Sequence, residues 1–316
     1  MNPDNRISVL IVGATGNLGK YITLECLNKP NLLVNILIRD PNKDKQLCQR
    51  VEQEGGKCII GDITKPETIK DCTKGIHTVI SAVIGDNETV IEGQKNLLED
   101  ALKNGVKRFV PSDFSFYIFG FNKGEHFFTN QRLEFRDILD KSPIKHLHVS
   151  NGFFMETYFC LNVDKFVYWG DIDQKFDLTC QDDVARYLAA AISNPDRDGE
   201  LNIVGSELST REIVEIFNRN TGKNWPAVCA GTIEDLKKQI QEHKQQGNWL
   251  EAVQLGYALA VYSGSGKIHN KHNDEFPDIK PTTLEDYVQK YYGKVQYIFP
   301  ISKTAENIKK EVLNLK

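Results

Sequence analysis

The chain of 316 residues has no Cys-x-x-Cys pair, no apolar run approaching the roughly 20 residues of a membrane span, and no large excess of either charge. Its seven cysteines (Cys26, Cys48, Cys58, Cys72, Cys160, Cys180 and Cys229) are odd in number and scattered, which argues against a disulfide framework or a zinc knuckle and leaves reduced structural thiols. With a net charge of −4 the protein has no general attraction to nucleic acid or to an anionic membrane, so a small molecule is the expected partner. Residues Met1 to Arg6 are polar and carry no secretory apolar stretch, and the expected location is cytoplasmic. Neither a Ser-His-Asp pattern nor a P-loop Gly-Lys-Ser/Thr is present, and there is no internal repeat or low-complexity segment.

What is present starts near the N-terminus, where the apolar run Val9-Leu10-Ile11-Val12 leads into Gly13-Ala14-Thr15-Gly16-Asn17-Leu18-Gly19-Lys20. A buried strand ending in a turn without Cβ atoms lets backbone N–H groups and a helix N-terminus approach a diphosphate closely. The spacing Gly-x-x-Gly-x-x-Gly is a variant of the tighter Gly-x-Gly-x-x-Gly fingerprint, and helical periodicity follows at Leu18, Ile22, Leu24 and Leu27. Gly13, Thr15, Gly16, Asn17, Leu18 and Gly19 are the first candidate cofactor-binding residues.

Strand-like and helix-like segments alternate through the first half, the pattern of stacked βαβ units. Strands are expected at Ile7–Val12, Leu33–Ile38, Lys57–Ile60, His77–Ser81, Arg108–Val110 and Ile144–Val149, with helices near Asn17–Asn28, Lys43–Glu54, Pro66–Cys72, Asn87–Lys103 and Glu125–Asp140. The expected fold is α/β, a Rossmann-type doubly wound parallel sheet over residues 1–150, followed by a smaller C-terminal substrate lobe over 151–293 that interleaves with it. In that lobe the pattern predicts helices at Gln181–Ser193, Ser209–Asn220, Thr232–Lys244 and Leu250–Val261 and a short strand at Glu200–Val204, with Ser209-Thr210-Arg211-Glu212 at capping-box spacing. Residues 294–316 read as a helical tail with Ala305, Ile308, Val312 and Leu315 on one side, packed on the body or on a partner; a homodimer or a regulatory protein partner stays open.

The second strand ends Leu37-Ile38-Arg39-Asp40-Pro41-Asn42-Lys43. An acidic residue at this tip binds the ribose hydroxyls of NAD, whereas an arginine pairs with the 2′-phosphate of NADP. Arg39 with Lys43 favours NADP(H), and Asp40 keeps NAD open. Asp62, Ser81, Ala82 and Val83 follow the third and fourth strands and are candidate cofactor walls, although Gly61-Asp62 is equally a common turn.

These residues resemble the atypical short-chain dehydrogenases that include isoflavone reductase, phenylcoumaran benzylic ether reductase and the NmrA-like proteins. The likeness rests on Val12 to Gly19, on Leu37-Ile38-Arg39 with Lys43, and on Val106-Lys107-Arg108-Phe109-Val110-Pro111-Ser112-Asp113-Phe114, which is similar to the family's V-K-R-F-x-P-S-E-F. It continues through Asp182-Asp183-Val184-Ala185 and Phe276-Pro277-Asp278-Ile279-Lys280-Pro281. The resemblance implies NADPH-dependent reduction of a small, aromatic or phenylpropanoid-like substrate by hydride transfer, with a lysine supplying the proton. It also implies Ser112, Asn151 and Phe153 at the cofactor, and Phe114 and Phe154 are candidate substrate residues, with Phe116 and Tyr117 of the departing aromatic insert beside them.

At the catalytic position the sequence departs. If Arg136 is the arginine of the family's K-x-x-x-R, the lysine position holds Arg132, which stays protonated and makes a poor proton shuttle, though it can orient a substrate or stabilise an oxyanion. Lys123 and Tyr117 are the alternative proton donors, and the aromatic insert Phe116-Tyr117-Ile118-Phe119-Gly120-Phe121 either lines a substrate pocket or packs as a lid. The arginine keeps open a second reading, an NmrA-like regulator that senses NADP(H) without turnover. A nucleotide-sugar epimerase would need the absent Tyr-x-x-x-Lys. His146 and His148 lie on one face of a strand, but no third ligand is apparent in the sequence, so no metal site is expected.

Overall fold

The structure, a computed structural model, describes residues 5–124, 127–162 and 164–292. The expected tail at 294–316 and Glu125 lie outside the described residues. The chain divides into two interleaved units: Met1–Phe114 with Gln131–Val149 and Val184–Leu201, and Ser115–Asn130 with Ser150–Asp183 and Asn202–Lys316.

The first unit is built on β1 (Ile7–Val12), α1 (Asn17–Leu27), β2 (Leu32–Ile38), α2 (Lys45–Gln53), β3 (Cys58–Ile60), β4 (Thr78–Ser81), α3 (Gln94–Lys103), β5 (Arg108–Val110), α4 (Phe127–Asp140) and β6 (Lys145–Ser150). β1 to β6 pair in parallel. With β10 (Gly199–Asn202) they form a seven-stranded sheet in the order β10-β6-β5-β4-β1-β2-β3, the doubly wound Rossmann arrangement. Parallel strands are covered by helices on both faces, which accounts for the unbroken burial of Val9 to Val12 and Val34 to Ile38. Leu10, Val79, Leu97, Phe109, Phe135 and Leu139 meet in the unit's core. The strand order reverses between β1 and β4, which are hydrogen-bonded neighbours, and open sheets place their ligands outside the carboxyl ends of the strands at such a reversal.

Two segments differ from the sequence reading. Pro66–Cys72 forms only a single 3₁₀ turn at Pro66–Thr68, because Thr68 turns its hydroxyl back onto the carbonyls of Asp62 and Lys65. The helix expected over Asn87–Lys103 opens with a π-helical turn at Glu88–Gly93 before α3.

The second unit carries β7 (Phe153–Phe154), α5 (Met155–Leu161), β8 (Phe166–Tyr168), β9 (Lys175–Thr179), the start of α6 (Gln181–Ile192), β11 (Ser206–Ser209), α7 (Thr210–Thr221), β12 (Ala227–Cys229), α8 (Ile233–Gln245), α9 (Trp249–Tyr262) and α10 (Leu284–Lys290). Small sheets β11-β9-β7 and β12-β8 form where the sequence pattern predicts no strands. Ser209 caps α7 in a reciprocal box with Glu212, and Thr232–Asp235 and Thr283–Asp286 do the same for α8 and α10. The core is aromatic: Tyr158, Phe159, Phe166, Phe176, Phe217 and Tyr287 are buried together. Among the described residues no helix is long and apolar enough to cross a membrane.

Candidate functional site

Two glycines of the N-terminal turn, Gly13 and Gly19, have a backbone reason. Gly13 has φ +82°, and a Cβ there would stand 2.5 Å from the carbonyl oxygen of Ala82, beyond the end of β4. A Cβ on Gly19 would meet the Gly13 carbonyl at 2.0 Å. The turn is closed by Gly16 N–H donating to Gly13 O at 2.9 Å, and Ala82 N–H donates to Val12 O at 2.9 Å. α1 then starts at Asn17 with no side-chain cap and no acidic residue in its first turn. A helix N-terminus so left exposes N–H donors and a positive dipole end, which fits a diphosphate.

At the tip of β2 the charges separate by role. The Asp40 carboxylate accepts the Asn42 N–H at 2.8 Å and so shapes the turn. Asp44 caps α2 through the Leu47 N–H and pairs with Lys20 at 2.7 Å. Arg39 and Lys43 are exposed, and neither has an ion-pair partner among the described residues. Two uncommitted cations at this position fit a 2′-phosphate better than ribose hydroxyls.

Asp62 serves its own turn: Oδ1 accepts from the amide and hydroxyl of Thr64 at 3.1 and 2.9 Å, while Oδ2 has no hydrogen-bond partner among the described residues. Ser81 ends β4 fully buried, its hydroxyl without a hydrogen-bond partner among those residues. Ser112 is a fastener. Its hydroxyl donates to the Val83 carbonyl and its amide to Gln94 Oε1.

The motif that carries the family likeness divides into distinct jobs. Arg108 is fully buried and donates to Thr78 Oγ1 and to the carbonyls of Ile192, Asn194 and Arg197, tying β5 to the end of α6. Burial without a carboxylate contact pushes its guanidinium down to about 10. Asp113 is buried and its carboxylate meets His148 Nδ1 at 2.5 Å. Arg132, 8% exposed on α4, donates through Nε to the Asp113 carbonyl at 2.9 Å. The sequence offered no sign of the Asp113–His148 pair, which joins positions 35 residues apart. The structure also supplies the third donor beside the histidines, for Asp140 Oδ1 lies 3.3 Å from His146 Nε2. Burial, then the neighbouring His148, hold His146 below the ordinary imidazole value.

On the second unit the aromatic insert turns inward. Phe116 packs on Phe121 at 5.2 Å between ring centroids and edge-on against Tyr257 at 6.0 Å, and Ile118 is also buried. Tyr117 is half-buried with its ring edge on Phe119, and its amide donates to Gly266 O. Lys123 is exposed. Asn151 is fully buried, its amide donating to Ser115 O and its Oδ1 without a hydrogen-bond partner among the described residues. Phe153 is buried against Tyr158 and Tyr257, and Phe154 is half-buried. Phe116, Gly152, Phe153, Asp177 and Lys267 line a small cavity of about 10 Å³, space for one water and not for a substrate.

The family profile "NmrA-like family" matches residues 5–288. Isoflavone reductase of Pisum sativum is 23% identical over 326 aligned positions, covering 92% of this chain and all of that one. Phenylcoumaran benzylic ether reductase of Populus trichocarpa is 24% identical, covering 90% and 98%. Among solved structures, the leucoanthocyanidin reductase–NADPH complex from Vitis vinifera superposes with a TM-score of 0.75 at 20% identity, covering 91% of this chain and 100% of the other, a likeness of fold.

Proposed function

The chain belongs to the NmrA-like family, and from that membership and the glycine cradle we propose that it is an NADPH-dependent reductase of a small aromatic or phenylpropanoid-like molecule. The observation that carries the cofactor is the pair of uncommitted cations, Arg39 and Lys43, beside an Asp40 already engaged by its own turn. The backbone of Gly13 to Gly19 and the start of α1 hold the diphosphate, Arg39 and Lys43 the 2′-phosphate, and the free oxygen of Asp62 the adenine amino group. When bound, NADPH supplies a hydride. Arg132 is fixed by the Asp113 carbonyl and stabilises negative charge that develops on a substrate oxygen. It does not deliver the proton, because its guanidinium stays protonated. Lys123 or Tyr117 is the proton donor of this reading, and Tyr117 and Phe154 keep exposed surface for an aromatic substrate.

The substrate class comes from the relatives, which are named as reductases of isoflavone, phenylcoumaran and pinoresinol-type compounds. Arg132 in the lysine's place favours a second reading, an NADP(H)-sensing regulator, cytoplasmic and acting through a protein partner. NADPH oxidation over a panel of aromatic carbonyl and conjugated substrates separates the two. The reductase reading expects turnover that Arg132→Lys preserves or raises. Failure of both proteins to oxidise NADPH with any substrate, while still binding it, overturns that reading.

A further inference from the structure

Apart from the glycine turn, the first unit holds a cluster of ligating side chains between the end of α4 and β6. His146 and His148 project from one face of β6, with ring centroids 4.9 Å apart, and α4 ends at Asp140 above them. One donor atom from each of Asp140, His146 and His148 lies within 4.8 Å of the other two. We propose that these three side chains form a binding site for a single divalent transition-metal ion of the zinc class.

Three observations carry the assignment. The first is distance. Tetrahedral ligands at about 2.0–2.2 Å from zinc sit about 3.4 Å from each other. His146 Nε2 and Asp140 Oδ1 are already 3.3 Å apart, and the third donor, within 4.8 Å of both, need close by no more than about 1.4 Å. The second is the surrounding hydrogen bonding. His148 Nδ1 faces the buried Asp113 carboxylate at 2.5 Å, which fixes the tautomer and leaves Nε2 as the ligating nitrogen. A carboxylate behind a metal-binding imidazole is the usual arrangement in histidine sites. Arg136 Nε holds the other oxygen of Asp140 at 3.2 Å, so Oδ1 is the one aimed at His146. The third is ligand chemistry. Two imidazoles and one carboxylate select zinc, cobalt, nickel or copper over magnesium or calcium, which take oxygen donors.

The charges around the cluster are Asp113, Asp140, Asp196 and Asp198 against Arg136, Lys145 and Arg132, which sits on the Asp113 carbonyl, with Lys145 engaged by Asp196 and Asp198 at 3.9 and 3.8 Å. A cation there meets a net acidic shell. Asp140 is exposed, His146 half-buried and His148 buried, so an ion enters from solvent and seats inward. A bound ion would tie the end of α4 to β6 and, through His148 and Asp113, would stiffen the loop whose carbonyl holds Arg132.

The test is Co²⁺ titration of the full chain, read by visible absorption, with Zn²⁺ titration by calorimetry and thermal unfolding in parallel. One equivalent of Co²⁺ with the intense bands of a tetrahedral site, displaced by Zn²⁺ and accompanied by a rise in Tm, is the expected result. Asp140→Asn and His146→Gln, both at accessible positions, should each abolish the stoichiometric site, and Asp113→Asn should weaken it by about 10–100-fold. The close thiols Cys48 and Cys58, 2.7 Å apart, are the competing soft ligands. A Cys48→Ser, Cys58→Ser variant should therefore bind as the parent does. Absence of binding overturns the proposal. So does a stoichiometric site that survives Asp140→Asn with His146→Gln, or one that is lost with the two thiols.

Discussion

Arg39 and Glu156 show how single residues decide the chemistry of the two units. Arg39 is exposed and unpaired among the described residues, so its loss should leave stability unchanged and remove one charge-assisted contact to the 2′-phosphate. Arg39→Ala should weaken NADPH by about 10–100-fold and leave NADH nearly unaffected, as fluorescence titration of both cofactors would record. Equal losses for the two would contradict the role given to this residue. Glu156 is buried on α5, where Oε1 accepts the Gln181 N–H at 3.0 Å. Burial pushes its carboxyl up from 4.5 to about 7. The fold therefore favours the neutral acid, whose contribution is complete below the ordinary carboxyl value and is lost as pH rises through about 7. Glu156→Gln keeps the acceptor without the charge. Its stability relative to the parent should rise between pH 5 and pH 8 by up to about 3 kcal/mol in chemical unfolding.

At the scale of elements, the turn between β1 and α1 is defined by atoms that leave no room for side chains. Gly13→Ala places a Cβ 2.5 Å from the Ala82 carbonyl at a φ of +82°, which should cost about 2–4 kcal/mol and weaken NADPH binding with it. Urea unfolding and cofactor titration on the same variant would check both. Arg108 joins β5 to the end of α6 by serving three carbonyls at once. Arg108→Met strands those acceptors and should destabilise the fold by about 3 kcal/mol in urea unfolding, with cofactor affinity of the folded fraction retained. These elements were legible in the sequence, because glycine spacing, apolar runs and capping residues are local signals. β5 begins at Arg108 and α7 is capped by Ser209 as the residues predict. The small sheets of the second unit were not legible: β7, β8 and β12 have only two or three residues each and are held by pairing with distant partners. The Asp113–His148 and Asp140–His146 pairs escaped for the same reason, since contact across elements leaves no periodicity in the chain.

For the whole molecule, the doubly wound sheet places the glycine turn at the reversal of strand order, where such sheets hold their ligands, and the chain belongs to the NmrA-like family. Fold and glycine turn do not by themselves make an enzyme, and Arg132 stands where the relatives' pattern has a lysine. The most direct measurement is hydride transfer itself: incubation with NADPH deuterated at the hydride-donating carbon and an aromatic substrate panel, followed by mass analysis of the products. A product one deuterium heavier is expected, formed in step with NADPH oxidation by the parent protein and by Arg132→Lys. Tight NADPH binding with no deuterium in any product, from either protein, would contradict it.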